Sequence, residues 1–389
     1  MDFTFSDELT ALQETCRRIA QDKVKPRARE IDESNEYPQD IFEVFRDTGL
    51  LGLCIPEDLG GGGAGILGLT IAMEEVAKYS NTAALMLLLT RLPTGPVMIA
   101  GSRDLNERYV APIATGEKRG AFCLSEPQAG SDVMGMRAKA VPDGDDWVLT
   151  GTKCWISGVA QADWYTVFAK TSADPASRDH DSITAFVVER GWDGVQVGTL
   201  DQKMGVRGVA TGELLLDGAR VPAANVIGEI GGWQAAMQGL NSMRPIVAAR
   251  GIGLAEGALM YATEYVKERA AFTKTIAEFQ GTQWEIAKLA TEIEAARLLT
   301  YRAAVMADEG KFTKEFVPYL SMAKYKATEV AVQASNVCLQ MLGAAGYMKD
   351  HMTELYYRDA KQLTIVEGTT QVQLGLIGKG VLAGHLWWD

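Results

Sequence analysis

Histidine is scarce in this chain. His180, His351 and His385 are the only three in 389 residues, and their separations suit no metal-ligand spacing. No GxSxG elbow is present, so no histidine-anchored nucleophile suggests itself. Acid–base chemistry at neutral pH is left to carboxylates. Cysteine is sparse too. Cys16, Cys54, Cys123, Cys154 and Cys338 are odd in number, widely spaced and free of any CxxC pair, which reads as reduced thiols in a cytoplasm. Basic charge falls short of acidic, 38 against 50 residues for a net −12. That disfavours non-specific binding to nucleic acid or to anionic membranes. No apolar run reaches the ~18 residues of a membrane span, so none is expected. The opening MDFTFSDELTALQ carries acids and no base, against a signal or transit peptide. Gly60 to Gly63 lacks the Lys-Ser/Thr of a phosphate loop, and no strand-to-helix GxGxxG occurs. The four glycines read as a flexible turn into the next helix, and Leu342 to Gly346 as a helix end.

What is present falls into three zones, and the length asks for two or three domains. Residues 1–120 read as helical: Leu9, Leu12, Cys16 and Ile19 recur at helical spacing. Residues 121–229 are β-rich, with strands expected at Trp147–Leu149, Trp164–Ala169 and Ile183–Val188. Turns are expected at Asp143-Gly144 and Asp217-Gly218, and a polar surface loop at Thr171–Asp181. Residues 230–389 return to longer helices, with Ile286, Ala290, Ile293, Ala296 and Leu299 as one apolar stripe and short loops that suggest a bundle. The fold class is multi-domain α+β: a helical N-terminal domain, a middle β-barrel or sandwich-like domain and a C-terminal four-helix bundle.

Three ordered motifs carry more information than any zone. They are Phe122-Cys123-Leu124-Ser125-Glu126-Pro127 running to Ser131-Asp132, then Arg269-Ala270-Ala271-Phe272 with Phe279-Gln280, and Tyr357-Arg358-Asp359-Ala360 leading to Val366-Glu367-Gly368-Thr369-Thr370-Gln371. In this order and spacing they resemble the acyl-CoA dehydrogenase family over residues 3 to 380. The position of the base is similar to the straight-chain, short-to-medium-chain type. The resemblance implies FAD as cofactor, an acyl-CoA thioester as substrate, an electron-transfer flavoprotein as acceptor and a homotetramer built as a dimer of dimers. It also implies that the flavin does the redox step while the protein positions and tunes it.

Residue by residue, the resemblance implies that Glu367 is the base that takes the α-proton. Gly368 would offer a backbone N–H to the thioester oxygen. From the local sequence alone, a solvated glutamate at a loop or helix start is the favoured reading. Phe122, Leu124, Ser125, Trp155 and Ser157 match positions around the isoalloxazine. Arg269 matches a contact to the FAD pyrophosphate from a neighbouring subunit, suited to a bidentate guanidinium. Phe272, Gln280, Gln340 and Gly343 match adenosine-side contacts, and Thr369 and Gln371 further FAD contacts. Ser131, Asn241 and Arg244 match the acyl-CoA channel, and Ser131 a cofactor contact as well.

Departures from the family pattern mark open questions. Val366 stands where an aromatic is common, Thr273 and Ala344 where glycine is, and Val209 where serine is. Met243 occupies the alternative base position of some relatives and cannot take a proton, which favours Glu367 and points away from the isovaleryl type. Leu85 to Leu89 match a helix lining the acyl tail. Arg91 in that run reads either as a cation paired inside the oligomer or exposed at the bend before Pro93, or as a partner for a carboxylate on the acyl chain. Leu386-Trp387-Trp388-Asp389 is expected to pack on a neighbouring helix or subunit. Two other functions share the fold: flavin oxidases or monooxygenases, and catalytically silent subunits.

Overall fold

The structure is a computed structural model that describes residues 4–174 and 177–386. The chain opens with helices α1 (Asp7–Ile19), α2 (Ala28–Ser34), α3 (Gln39–Asp47), α4 (Gly65–Ala77), α5 (Asn81–Arg91), α6 (Thr94–Ala100), α7 (Arg103–Leu105) and α8 (Ala111–Ala114). Ser6 and Ser80 cap α1 and α5, their hydroxyls accepting the N–H of Leu9 and Ala83. α4 and α5 are buried on nearly every face, which explains their continuous apolar sequence. One expectation is corrected here. Residues 81–100 are long and apolar enough by composition to cross a membrane, yet they form two helices that meet at Pro93 and lie 72% buried inside the protein. The four glycines are a turn, but a tightly held one. The N–H groups of Gly60, Gly61, Gly62 and Gly63 donate to Glu57, Pro56, Gly52 and Ile55, so none is left for a phosphate.

Strands β1 (Gly120–Cys123), β2 (Lys139–Asp143), β3 (Asp146–Ser157), β4 (Trp164–Lys170), β5 (Ile183–Glu189), β6 (Val195–Leu200), β7 (Thr211–Pro222) and β8 (Val226–Ile227) make one sheet in the order β6-β7-β3-β2-β4-β5-β8, with β1 parallel to β4. The three expected strands lie within β3, β4 and β5, and Asp143-Gly144 turns β2 into β3. Asp217-Gly218 is not a turn. Thr150 pairs with Asp217 and Leu149 with Ala219, leaving Gly218 (φ +66°) as the extra residue of a bulge inside a continuous β7. The expected polar loop joins β4 and β5, with residues 175–176 outside the described set.

The chain then returns to helices: α9 (Trp233–Ser242), α10 (Arg244–Glu268), α11 (Gln280–Asp308), α12 (Val317–Leu342), α13 (Thr353–Leu363) and α14 (Thr370–Leu382), with a small hairpin, β9 (Ala270–Ala271) and β10 (Lys274–Thr275), between α10 and α11. Arg244 opens α10 with Pro245 behind it, where a missing N–H costs nothing. The buried ridge of α11 runs through Leu289, Ile293, Ala296, Thr300 and Ala303, while Ala290 faces out. The expected stripe was therefore one residue off at that turn. α12 packs against α10, α11 and α14. α10 also presses on α4: a Cβ at Gly253 or Gly257 would lie 2.2 or 2.0 Å from the carbonyl oxygens of Glu74 and Lys78. A buried ionic web crosses the same seam. Arg297 bonds Glu74 at 2.9 Å, and Lys78 bonds Glu75 at 3.1 Å and Glu256 at 3.0 Å. Of the C-terminal aromatic segment, Leu386 is buried and Trp387 to Asp389 lie outside the described residues.

Candidate active site

Glu367 sits in the tight link between α13 and α14. It holds a left-handed backbone (φ +53°), followed by Gly368 at φ +89°. A non-glycine residue there is uncommon and costs about 1 kcal/mol or more, so the link must be held from outside. Lys324, fully buried on α12, donates 2.8 Å bonds to the carbonyls of Leu363 and Gly368. Gln373, fully buried in the first turn of α14, donates to the carbonyls of Glu367 and Gly368 at 3.3 and 3.1 Å. Thr369 caps α14 by accepting the Val372 N–H, and the Thr370 hydroxyl donates to Glu329.

The carboxylate these contacts present is unusual. Oε2 of Glu367 is enclosed and has no hydrogen-bond partner among the described residues. Burial pushes this carboxyl up to about 7, against the pull of Arg250 and Lys324. The solvated-glutamate reading fails on that ground. Ile365, which is 56% exposed, does not supply the apolar setting. Met243 is buried and non-ionisable at the alternative base position.

Around Glu367 lies a cationic floor, of which sequence reading named Arg244 and missed Arg250 and Lys324. Arg250 is fully buried on α10, donating from Nε to Asn81 Oδ1 at 2.8 Å and from Nη2 to Gln362 Oε1 at 3.1 Å. Arg244 is buried as well, with Nη1 enclosed and unpartnered, and burial lowers it to about 10. Lys324 falls to about 8, burial outweighing the support of Glu367 while Arg244 adds to the fall. Asp359 is pushed up to about 7 by burial, partly opposed by the Val206 N–H that it accepts at 2.6 Å. A lone Arg within Val247-Ala248-Ala249-Arg250-Gly251 was the available signal, since an arginine in an apolar helix run needs a partner.

The sheet presents the second half of the site. Ser125 follows β1, and its carbonyl accepts the Cys154 N–H at 3.0 Å. Glu126 anchors this loop from below: it accepts from the N–H groups of Arg137 and Ala138 at 2.6 and 3.0 Å and from Lys153 at 2.7 Å. Lys153 also donates to the Leu124 carbonyl. Pairing of β3 with β7 is irregular between Lys153 and Ile156, and Trp155 there takes φ +57°. The bulge turns the indole outward, leaving it 57% exposed. Ser157 and Phe122 are half-buried. An exposed indole above hydroxyl-bearing strand ends suits a planar flavin.

The residues expected on the adenosine side lie elsewhere. Arg269 ends α10, exposed and in no ion pair among the described residues, the nearby Glu268 and Glu278 included. Phe272 (φ +51°) and Thr273 (φ +77°) make the turn of the β9–β10 hairpin, with Phe272 89% exposed. Gln280 is exposed at the start of α11, and Gln340 and Gly343 are exposed at the end of α12. At 1.5 Å per helical residue, Arg269 stands roughly 37 Å along α10 from Arg244. One protomer thus does not bring the two sets together. Gln371 and Ser131 are exposed, and Asn241 donates to the Phe312 carbonyl at 3.4 Å. Arg91 is 9% exposed, which corrects the view of it as exposed at the bend. It contacts Ser242 Oγ and Met98 Sδ, and its Nε is enclosed without a partner.

A helix–sheet–helix chain with one enclosed carboxylate and an outward-facing indole has the parts of a flavin-dependent oxidoreductase. Residues 6–117, 121–219 and 231–382 match the acyl-CoA dehydrogenase N-terminal, middle and C-terminal domains respectively. Among relatives, an acryloyl-CoA reductase (NADH) of Anaerotignum propionicum is 38% identical over 98% of this chain and 96% of its own. A probable acyl-CoA dehydrogenase of Mycobacterium leprae is 35% identical over 98% and 97%. The solved butyryl-CoA dehydrogenase of Megasphaera elsdenii superposes with a TM-score of 0.94 at 35% identity, covering 98% of this chain and all of that one. The chain belongs to the acyl-CoA dehydrogenase family.

Proposed function

We propose that the chain oxidises an acyl-CoA thioester to the 2-enoyl-CoA with FAD, and that Glu367 removes the α-proton. The observation that carries this is the enclosed, unpartnered Oε2 of Glu367, whose carboxyl lies near 7. A base in that range is half-ionised at neutral pH and can hold the proton it takes. Gly368, next in the left-handed link, is placed to offer its N–H to the thioester oxygen, so that the α-carbon becomes acidic as the base acts. Bound FAD would supply the hydride acceptor for the β-carbon. Phe122, Leu124, Ser125, Trp155 and Ser157 would seat its ring, with Thr369 and Gln371 close by. Ser131, Asn241 and Arg244 would line the path of the acyl-CoA.

The separation of Arg269 from the base supports a homo-oligomer, with a tetramer as the family-based reading. Arg269, Phe272, Gln280, Gln340 and Gly343 would hold the pyrophosphate and adenosine of a cofactor whose ring lies in the adjacent copy. An electron-transfer flavoprotein in the cytoplasm is the acceptor that fits this reading. Anaerobic bleaching of bound FAD by an acyl-CoA tests it. Glu367→Gln should keep FAD and acyl-CoA binding and lose bleaching almost wholly; full bleaching in that variant removes Glu367 from the role. Fast turnover with O₂ would favour an oxidase instead, and failure to bind FAD a silent subunit.

A further inference from the structure

Two segments outside the site press against each other. One is residues 203–209 of the loop between β6 and β7. The other is α13, which leads into the link that carries Glu367. Asp359 is buried on α13, and its Oδ1 accepts the Val206 N–H at 2.6 Å. Beside it, Arg358 donates to the Met204 carbonyl at 3.0 Å. Val206 is fully buried and holds φ +50°, a conformation that a β-branched residue keeps only when its surroundings enforce it. Gly205 shows how closely the segments approach. A Cβ there would stand 2.6 Å from Asp359 Oδ1 and 2.7 Å from the Arg358 carbonyl carbon, so there is no room for a side chain between the loop and α13.

Each segment continues into one half of the site. Asp359 stands one helical turn before Leu363, where α13 ends and where Lys324 clamps the link. From Val206 the loop runs to Ala210, whose carbonyl accepts the Gly158 N–H at 2.7 Å. Thr211 then pairs with Ser157, and Gly212 with Ile156, next to the bulge that turns Trp155 outward. Lys203 stiffens this path by donating to the carbonyls of Val206 and Val209 at 2.5 and 2.6 Å. On its other side the loop is held by Asn35, which accepts the Gly208 N–H, and by Thr82, which donates to the Arg207 carbonyl. The loop is therefore a fixed post, and Asp359 ties α13 to it. Arg358 is already engaged by Asp32 and Glu354, so Asp359 is the buried acceptor that α13 offers the loop. A reaction that sends a proton to the base and a hydride to the flavin needs both halves in register, and a displacement of about 1 Å can cost about 100-fold in rate.

We infer that Asp359 is a positioning residue for hydride transfer: through the Val206 N–H it holds the element that carries the base in register with the strand ends that seat the flavin. This rests on the acyl-CoA dehydrogenase reading above, and two assays on FAD-loaded protein separate the two. The first is anaerobic bleaching of the flavin by straight-chain acyl-CoAs. The second is uptake of deuterium from D₂O at the α-carbon of the matching 3-thia-acyl-CoAs, in which sulfur replaces the β-carbon and no hydride can leave. Asp359→Ala should slow bleaching about 100-fold while α-exchange, which needs the base more than the register, falls by about threefold or less. Asp359→Asn keeps an acceptor for the Val206 N–H and loses the charge; it should restore bleaching to within about fivefold of the wild type. Gly205→Ala, which wedges the same seam from the loop side, should reproduce the split between the assays. If Asp359→Ala does not hold FAD, Gly205→Ala decides in the same two assays. Equal loss of bleaching and exchange makes the seam merely structural and overturns the inference, as does unchanged bleaching. Asp359→Asn as slow as Asp359→Ala overturns it too, because charge rather than the hydrogen bond would then matter. All three results leave the dehydrogenase reading intact. A wild type that neither bleaches nor exchanges with any of these thioesters removes that reading and this inference together.

Discussion

Lys324 and Gly368 are joined by a 2.8 Å hydrogen bond from the buried ammonium to the glycine carbonyl, and the same ammonium holds Leu363 on the other side of Glu367. A side chain on α12 thereby spans the link that carries the base. The left-handed conformation of Glu367 survives because both ends of the link are fixed.

Replacing Lys324 with Met should expose this dependence. Two buried carbonyls lose a charged donor, so stability should fall by about 2–4 kcal/mol. The remaining activity should also move in pH. Lys324 pulls the Glu367 carboxyl down, so its removal raises that value and shifts the rising limb of the bleaching-rate profile to higher pH. A loss of stability with an unmoved profile would make Lys324 a structural clamp only.

The pH dependence of the wild type follows from two raised carboxyls. Glu367 and Asp359 are both pushed up to about 7 by burial. The bleaching rate should climb as Glu367 ionises and level off above about 7. Stability should run the opposite way. A carboxyl whose folded value lies above its unfolded one binds protons more tightly when folded. Its contribution is complete below the unfolded values of 4.5 and 3.8 and is lost as pH rises through about 7. Urea midpoints measured between pH 5 and 8 should fall across this window, and Asp359→Asn should flatten the fall.

The fold was legible because helical and strand periodicities alternate in long blocks, and the motif order located Glu367. The cationic floor was only partly legible. Arg250 stands out in an apolar helix run, whereas Lys324 lies in sequence that also suits an exposed helix face, and only packing shows that both are buried. Gly218 shows the same limit at the local level: Asp-Gly between apolar runs reads as a hairpin, and only the register of β3 against β7 reveals a bulge. Arg269 was expected as an anion ligand, but its distance from Arg244 emerges only from the uninterrupted length of α10.

Glu126 and Lys153 form a buried pair under the flavin-side loop, 2.7 Å apart. Burial pushes the Glu126 carboxyl up, but Lys153 and the N–H groups of Arg137 and Ala138 outweigh it and hold the group below the usual range. Lys153→Met should cost about 3–5 kcal/mol by leaving a buried carboxylate unpaired. The double variant with Glu126→Gln should recover part of that loss in urea unfolding. FAD affinity should fall in the single variant, because Leu124 and Ser125 hang from this pair.

Thr273 takes φ +77° in the β9–β10 turn, following Phe272 at +51°. Two consecutive positive values are the backbone of a tight hairpin turn that favours glycine, and a β-branched residue there is strained. Thr273→Gly should therefore stabilise the protein by about 1 kcal/mol, read as a raised Tm. Thr273→Val should show no gain.

Mixed oligomers can test how the distant residues meet. One chain would carry Arg269→Glu and the other Glu367→Gln, each inactive alone. If Arg269 serves the cofactor of the adjacent copy, the chain with Arg269→Glu keeps its own base and receives an intact arginine from its neighbour. Random mixing through a twofold interface should then restore about a quarter of the wild-type sites. If Arg269 served its own chain, neither chain in the mixture could have both groups, and unfolding and remixing would restore nothing. The roughly 37 Å of helix between Arg244 and Arg269 favours recovery. If the cofactor ring lies at the Arg244 end of α10, a guanidinium at the far end of that helix reaches the same cofactor only from a second copy.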